Sequence, residues 1–226
     1  MCASLAAQKL PWHGRQAEVL TGLTRVLLVP PDVHVDEWST TSGRELSATG
    51  DYTRRTICGT LDQFFEEKKV EVYNYALCLG EAEVTQEQVN TIRALQTRFR
   101  ELVTAWEKPR RQADLLDTFH LGEEGEQVKK LAVDALVMVC ADGNLRTKGE
   151  KTASRFGGLA GGGGAPSEGV LLHIGMIRPR TGELLFFTLK DVAGDFLKHE
   201  DKFEAAIEKA VRAAFEAPAA STPAAK

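Results

Sequence analysis

Apolar residues along this chain fall into two rhythms, and each predicts a kind of element. Arg25-Val26-Leu27-Leu28-Val29 is a short apolar run closed by Pro30-Pro31, the pattern of a buried strand that stops abruptly. Ile57, Leu61, Phe64 and Phe65 recur at i, i+4, i+7 and i+8, one buried helical stripe ending in the polar Glu66-Glu67-Lys68-Lys69. Val70 to Leu77 alternates imperfectly and predicts a second strand, so a β-α-β crossover with parallel pairing opens the fold. Thr85-Gln86-Glu87-Gln88 has the form of a capping box. Val89, Ile92, Leu95, Phe99, Leu102, Val103 and Trp106 follow it at threes and fours, and Pro109 ends or kinks that helix.

Shorter helices are expected over 112–121 and 123–132, the second around Val128 and Leu131. Asp134 to Cys140 predicts a third strand, with Asp142-Gly143-Asn144 read as a turn after it. Gly169–Ile177 and Leu184–Leu189 predict a hairpin around Arg178-Pro179-Arg180-Thr181-Gly182, where Pro179 presets a turn φ and Gly182 can take a positive one. Phe203, Ile207, Ala210, Val211 and Phe215 mark a terminal amphipathic helix. The segment 32–50, polar and rich in Ser, Thr and Gly, reads as a loop in which Val33, Val35 and Trp38 could form a further extended piece. The expected architecture is therefore α/β (α+β): one domain over 21–216, with a mixed sheet of about four to six strands flanked by helices. Residues 1–20 read as an arm or tether and 217–226, rich in Ala, Pro, Ser and Thr, as a disordered tail.

Composition narrows the function. A length of 226 residues suits one well-buried core, and 43% apolar with 27% charged residues is ordinary for a globular chain. Net charge is −4 with both signs interspersed, which argues against a nucleic-acid partner; Lys108-Pro109-Arg110-Arg111 is short and lies near Asp114 and Asp117. No apolar stretch approaches the roughly 20 residues of a membrane-spanning helix.

The candidate chemistry is sparse. Gly157-Gly158-Leu159-Ala160-Gly161-Gly162-Gly163-Gly164 lacks the Lys and Ser/Thr of a phosphate loop, since Ala165-Pro166-Ser167 follows, and it leads into a strand instead of a helix. The histidines at 13, 34, 120, 173 and 199 share no ligand spacing, and no CxxC pair occurs. His173, between Leu172 and Ile174, reads as packed or on a strand surface, not as a ligand. No nucleophile-elbow pattern surrounds any Ser or Cys. No catalytic, metal-binding or cofactor-binding residue is therefore assigned. Two further expectations concern the cysteines and a polar loop. With Cys58 near a helix start and Cys78 at the exit of the next strand, a Cys58–Cys78 disulfide is geometrically allowed; the alternative is buried thiols. Glu37 and Trp38, placed in a polar loop, are an interface candidate, against the alternative that Trp38 lids the domain's own core.

Two segments carry a resemblance. Leu131-Ala132-Val133-Asp134-Ala135-Leu136-Val137-Met138-Val139 is similar to the LA-x-x-x-ADALL-x-V strand of a broad group of bacterial envelope lipoproteins. Gly175 to Phe187 is similar to their L-V-D-x-R-T-G-E-V-L-W-F hairpin, departing at Arg178, where that pattern often has Asp, and at Phe186, where it often has Trp. The Arg25–Pro31 strand and the Glu37-Trp38-Ser39 stretch fit the same plan, and Cys2-Ala3-Ser4-Leu5 resembles the lipid-bearing start of a mature lipoprotein. The group includes the curli-secretion lipoprotein, the Pel exopolysaccharide lipoprotein and lipoprotein activators of penicillin-binding proteins. The resemblance spans about residues 20–216 and implies a non-enzymatic domain held to the outer membrane on its periplasmic face by a lipid on Cys2. It implies partners among envelope proteins or an exported polymer, homo-oligomers, and an accessory or assembly role in export or envelope biogenesis. The alternative is a small cytoplasmic enzyme or nucleotide-binding protein.

Overall fold

A computed structural model describes residues 20–39, 42–74, 85–106, 121, 128, 132–146, 169–193 and 200–216. The elements are β1 (Arg25–Leu28), β2 (Asp32–Ser39), β3 (Ser42–Glu45), α1 (Ser47–Glu67), β4 (Glu71–Asn74), α2 (Gln86–Trp106), β5 (Ala135–Arg146), β6 (Gly169–Ile177), β7 (Leu184–Ala193) and α3 (Glu200–Glu216). The strands form one mixed seven-stranded sheet in which β5 is central. β6 pairs antiparallel along one edge of β5, and β7 pairs antiparallel with β6. The other edge of β5 is shared: β1 pairs parallel with its first residues, and β2 pairs parallel with Cys140 onward. Between the two the register slips by one residue.

Pro30 and Pro31 cause that slip. Neither can donate an amide to β5, so the strand line breaks there into β1 and β2. Their carbonyls are taken by side chains instead: Gln96 Nε2 of α2 donates to Pro30 O at 2.8 Å and Arg54 Nε of α1 donates to Pro31 O at 3.1 Å. Because β1 and β2 divide one line along β5, the seven strands count as six, within the expected four to six. β4 pairs parallel with β1, as the crossover predicts, but the β2–β3 hairpin is inserted before the helix.

The alternating side chains of the sheet feed two cores. On one face α1 and α3 cover Val26, Leu28, Val33, Val35, Val137, Val139, Ile174 and Met176. Phe64, Phe65, Phe186 and Phe215 meet there at centroid distances of 5.2–5.4 Å, so Phe186 fills an aromatic niche between sheet and helices. On the other face α2 covers Leu27, Val29, Leu136, Met138 and Ile177 through Ile92, Leu95, Phe99, Leu102 and Val103. Leu121 and Val128, each from a predicted short helix, are buried in this second core; the rest of those two segments lies outside the described residues. Among the described residues no helix is long and apolar enough to cross a membrane.

Asp134, from the lipoprotein-like motif, locks the entry of β1. Its Oδ2 accepts from Thr24 N at 2.7 Å, Thr24 Oγ1 at 2.7 Å and Arg25 N at 2.9 Å. At the far hairpin, Gly182 takes φ 72° and Arg178 N donates to Glu183 O at 2.8 Å, as the turn residues predict. Arg178 pairs with Glu183 across that turn at 2.6 Å.

Three expectations change. The described part of 32–50 is not a loop: the extended piece allowed at Val33, Val35 and Trp38 is β2, and β3 and the start of α1 follow. Asp142-Gly143-Asn144 is not a turn but the continuation of β5, because β2 and β6 pair with it on both edges. Gly143 serves close packing there, since a Cβ would come within 3.1 Å of Val35 Cγ2 and Val170 Cγ2. α1 begins at Ser47, well before the apolar stripe, so Cys58 sits mid-helix in the core and not near a helix start.

Candidate functional site

The continuation of β5 decides where polar groups gather. With Asp142 in the strand, Cys140 and Asp142 point to the same sheet face, the one that α2 covers. Cys140 is the cross-strand partner of His173 on β6, which puts the imidazole on that face too. A ring nitrogen of His173, the Cys140 Sγ and an Asp142 carboxylate oxygen lie within 4.8 Å of one another. Cys140 and His173 are 0% and 1% exposed, whereas the Asp142 side chain remains 40% exposed.

Arg100, projecting from α2, closes the cluster. Its Nε donates to Asp32 Oδ2 at 2.5 Å and its Nη1 to Asp142 Oδ1 at 2.9 Å. The other Asp142 oxygen, Oδ2, accepts from Cys140 Sγ at 3.7 Å. Asp32 also meets His34 Nε2 at 3.0 Å. Two buried polar atoms here have no hydrogen-bond partner among the described residues, His173 Nδ1 and Arg100 Nη2. Phe187 lies 6.0 Å from the His173 ring and Trp106 packs on Phe187 at 4.9 Å, forming an apolar wall beside the imidazole.

Electrostatics follow from burial. Loss of solvent pushes the Cys140 thiol well up, and the Asp142 charge adds to the effect. Burial pushes the His173 imidazole down to about 4, so the ring is neutral at ordinary pH. A protonated thiol beside a neutral imidazole is not an activated nucleophile. Burial opposes the Arg100 charge, but the hydrogen bonds to Asp32 and Asp142 outweigh it and raise its pKa above the ordinary value. A cleft of about 600 Å³ opens over Arg100 and Asp32, with His34, Arg93, Gln96 and Thr97 among its walls.

The sequence-predicted residues lie elsewhere. Glu37 and Trp38 sit within β2, not in a loop, paired with Arg44 and Gly43 of β3 and with Leu145 and Arg146 of β5. Glu37 is half-buried. Cys58 is buried under the sheet among α1 and α3 side chains, while Cys2, Cys78 and the glycine-rich 157–164 segment lie outside the described residues. Cys140, Asp142, His173, Arg100 and Asp32 are not grouped by the sequence. Their signal was a polar pair at i, i+2 ending an apolar strand, together with a histidine inside another apolar strand.

No known protein family matches the chain, and no curated protein does. A solved structure, the lipoprotein GNA1162 from Neisseria meningitidis, aligns with 8% sequence identity and a TM-score of 0.34 over 76% of this chain and 81% of that one. At that level the likeness says nothing about what this chain binds or does.

Proposed function

We propose that this chain is the periplasm-facing domain of a lipid-anchored outer-membrane protein. It acts in export or envelope biogenesis as an accessory or assembly factor, through contacts with envelope proteins or an exported polymer and not by catalysis. The observation that supports this most is the placement of the two lipoprotein-like segments. Though separated in sequence, their described parts fold into adjacent strands: Ala132–Val139 leads into and through the first half of β5, and Gly175–Phe187 is the β6–β7 hairpin paired beside it. The motif residues have structural work in that unit, Asp134 as the lock on β1 and Gly182 as the positive-φ turn. Cys2-Ala3-Ser4-Leu5 supplies the residue that would carry the lipid.

The test is chemical. The gene with its native upstream region is expressed in a Gram-negative host, and wild type is compared with Cys2→Ser by membrane fractionation and intact mass. Wild type should fractionate with the outer membrane and carry more than one acyl chain, since a single chain anchors only marginally. Cys2→Ser should lose both properties. An unmodified wild type in the soluble fraction overturns the proposal and favours a cytoplasmic protein.

A further inference from the structure

We propose that Cys140, Asp142 and His173 form a binding site for a borderline-soft divalent transition metal, zinc foremost. The donor set is one thiol sulfur, one imidazole nitrogen and one carboxylate oxygen, the mixture that zinc accepts in three-ligand sites whose remaining position is left to water or substrate.

The geometry is close to what such an ion needs. The three donors lie within 4.8 Å of one another. Donors about 2.0–2.3 Å from a common tetrahedral ion stand roughly 3.3–3.8 Å apart, and the Cys140 Sγ to Asp142 Oδ2 separation of 3.7 Å already falls in that range. Any closing of the remaining distances, none longer than 4.8 Å, falls to the imidazole and the partly exposed Asp142 side chain. Two strands fix the other ligands, since Cys140 and His173 are paired residues of β5 and β6.

A second observation points to a ligand independently. Among the described residues buried His173 Nδ1 has no hydrogen-bond partner, and buried polar atoms in native proteins rarely stay so. Replacement by an apolar residue of similar size would cost little, whereas coordination uses a neutral imidazole directly.

The carboxylate is already arranged for monodentate coordination. Asp142 Oδ1 is held by Arg100 while Oδ2 faces the Cys140 sulfur. Arg100 thus plays the part of an outer-shell group that orients a ligand, and Asp32 neutralises its charge. With the thiol protonated, the two carboxylates and one guanidinium leave the cluster one net negative charge. Binding M²⁺ forms the metal–sulfur bond and releases the thiol proton to solvent, after which the cluster is neutral. No oxidant or reductant is needed.

The site is tested on the full chain in a Cys2→Ser background, stripped of metal by chelator and kept reduced. Cobalt(II) is titrated in and thiolate-to-cobalt charge transfer in the near ultraviolet is read. One equivalent should give that band with intense visible d–d bands of tetrahedral cobalt, and zinc should displace it. Cys140→Ala should abolish the charge-transfer band, and Asp142→Asn should weaken cobalt binding at least tenfold. Absence of the band in the parent overturns the proposal, as does a band undiminished in Cys140→Ala, which would mean adventitious binding at another thiol. If Cys140→Ala does not fold, Asp142→Asn decides, because that side chain is partly solvent-exposed. Unchanged cobalt affinity there overturns the site. The outcome is independent of whether Cys2 carries a lipid.

Discussion

Gly175 of β6 lies directly beneath the Phe99 ring of α2: a Cβ at Gly175 would stand 2.6 Å from Cε2 and 3.0 Å from Cζ. The absent side chain lets α2 sit close to the sheet beside the Cys140–His173 pair. Gly175→Ala should destabilise the fold by about 1–3 kcal/mol, the usual range for overpacking a core. Urea unfolding measures it. In a Phe99→Leu background the ring is gone and the penalty should shrink, giving a coupling energy in a double-mutant cycle. Equal penalties in both backgrounds would place the strain elsewhere.

Lys69 ends α1 with φ 60°, a left-handed conformation that β-carbon-bearing residues avoid. Val70 N donates back to Phe65 O at 2.9 Å and Lys69 N to Glu66 O at 2.8 Å, a helix end that glycine ordinarily closes. Lys69→Gly should therefore stabilise the protein by roughly 0.5–1 kcal/mol despite the entropy glycine adds to the unfolded chain. Lys69→Ala keeps the β-carbon and should give no such gain in melting temperature. Equal gains from both would mean that the lysine charge, not the backbone, is at fault.

Much of the fold was legible because the helices obey simple periodicity. Thr85 and Gln88 make the predicted capping box in both directions: Gln88 N donates to Thr85 Oγ1 at 3.2 Å and Thr85 N donates to Gln88 Oε1 at 2.9 Å. The β6–β7 hairpin was equally plain, since its turn chemistry is local. The candidate site was not. Asp142-Gly143-Asn144 has turn composition, and only pairing to β2 and β6, both remote in sequence, keeps it extended. Once those residues are read as a turn, Cys140 and Asp142 no longer share a face, and nothing in sequence draws His173 or Arg100 toward them. β2 was obscured for the same reason, because its polar side chains Asp32 and His34 alternate with buried Val33 and Val35 in a segment too polar to resemble a core strand.

Asp134 gives the fold a defined acid response. Burial alone would raise its pKa, but the hydrogen bonds from Thr24 and Arg25 outweigh that and hold it below the ordinary carboxylate value. The unfolded chain then takes up this proton at higher pH than the native one. The resulting stability is fully present above the unfolded value of about 3.9 and is lost as pH falls through the native one. Asp134→Asn keeps an acceptor but no charge, so its unfolding free energy should fall less steeply than wild type below about pH 4. Parallel slopes for the two proteins in chemical denaturation would show that the carboxylate does not titrate as described.

Arg100 joins Asp32 at the start of β2 to Asp142 in β5, and so ties α2 to both strands at the point where the proline break weakens main-chain pairing. Its side chain is 32% exposed, and those of Asp32 and Asp142 are 21% and 40% exposed. A fully buried pair broken on one side costs about 3–5 kcal/mol, and a surface pair about 0–1. Intermediate exposure puts Arg100→Met at about 1–3 kcal/mol, because two carboxylates are left facing each other without a cation. Arg100→Lys restores the charge but not the forked donor, and should recover only part of the loss. The loss in Arg100→Met should also ease when Asp32→Asn removes one of the facing charges, and it should narrow as salt rises. A cost below about 0.5 kcal/mol for Arg100→Met, insensitive to salt, would make this bridge no more than a surface contact.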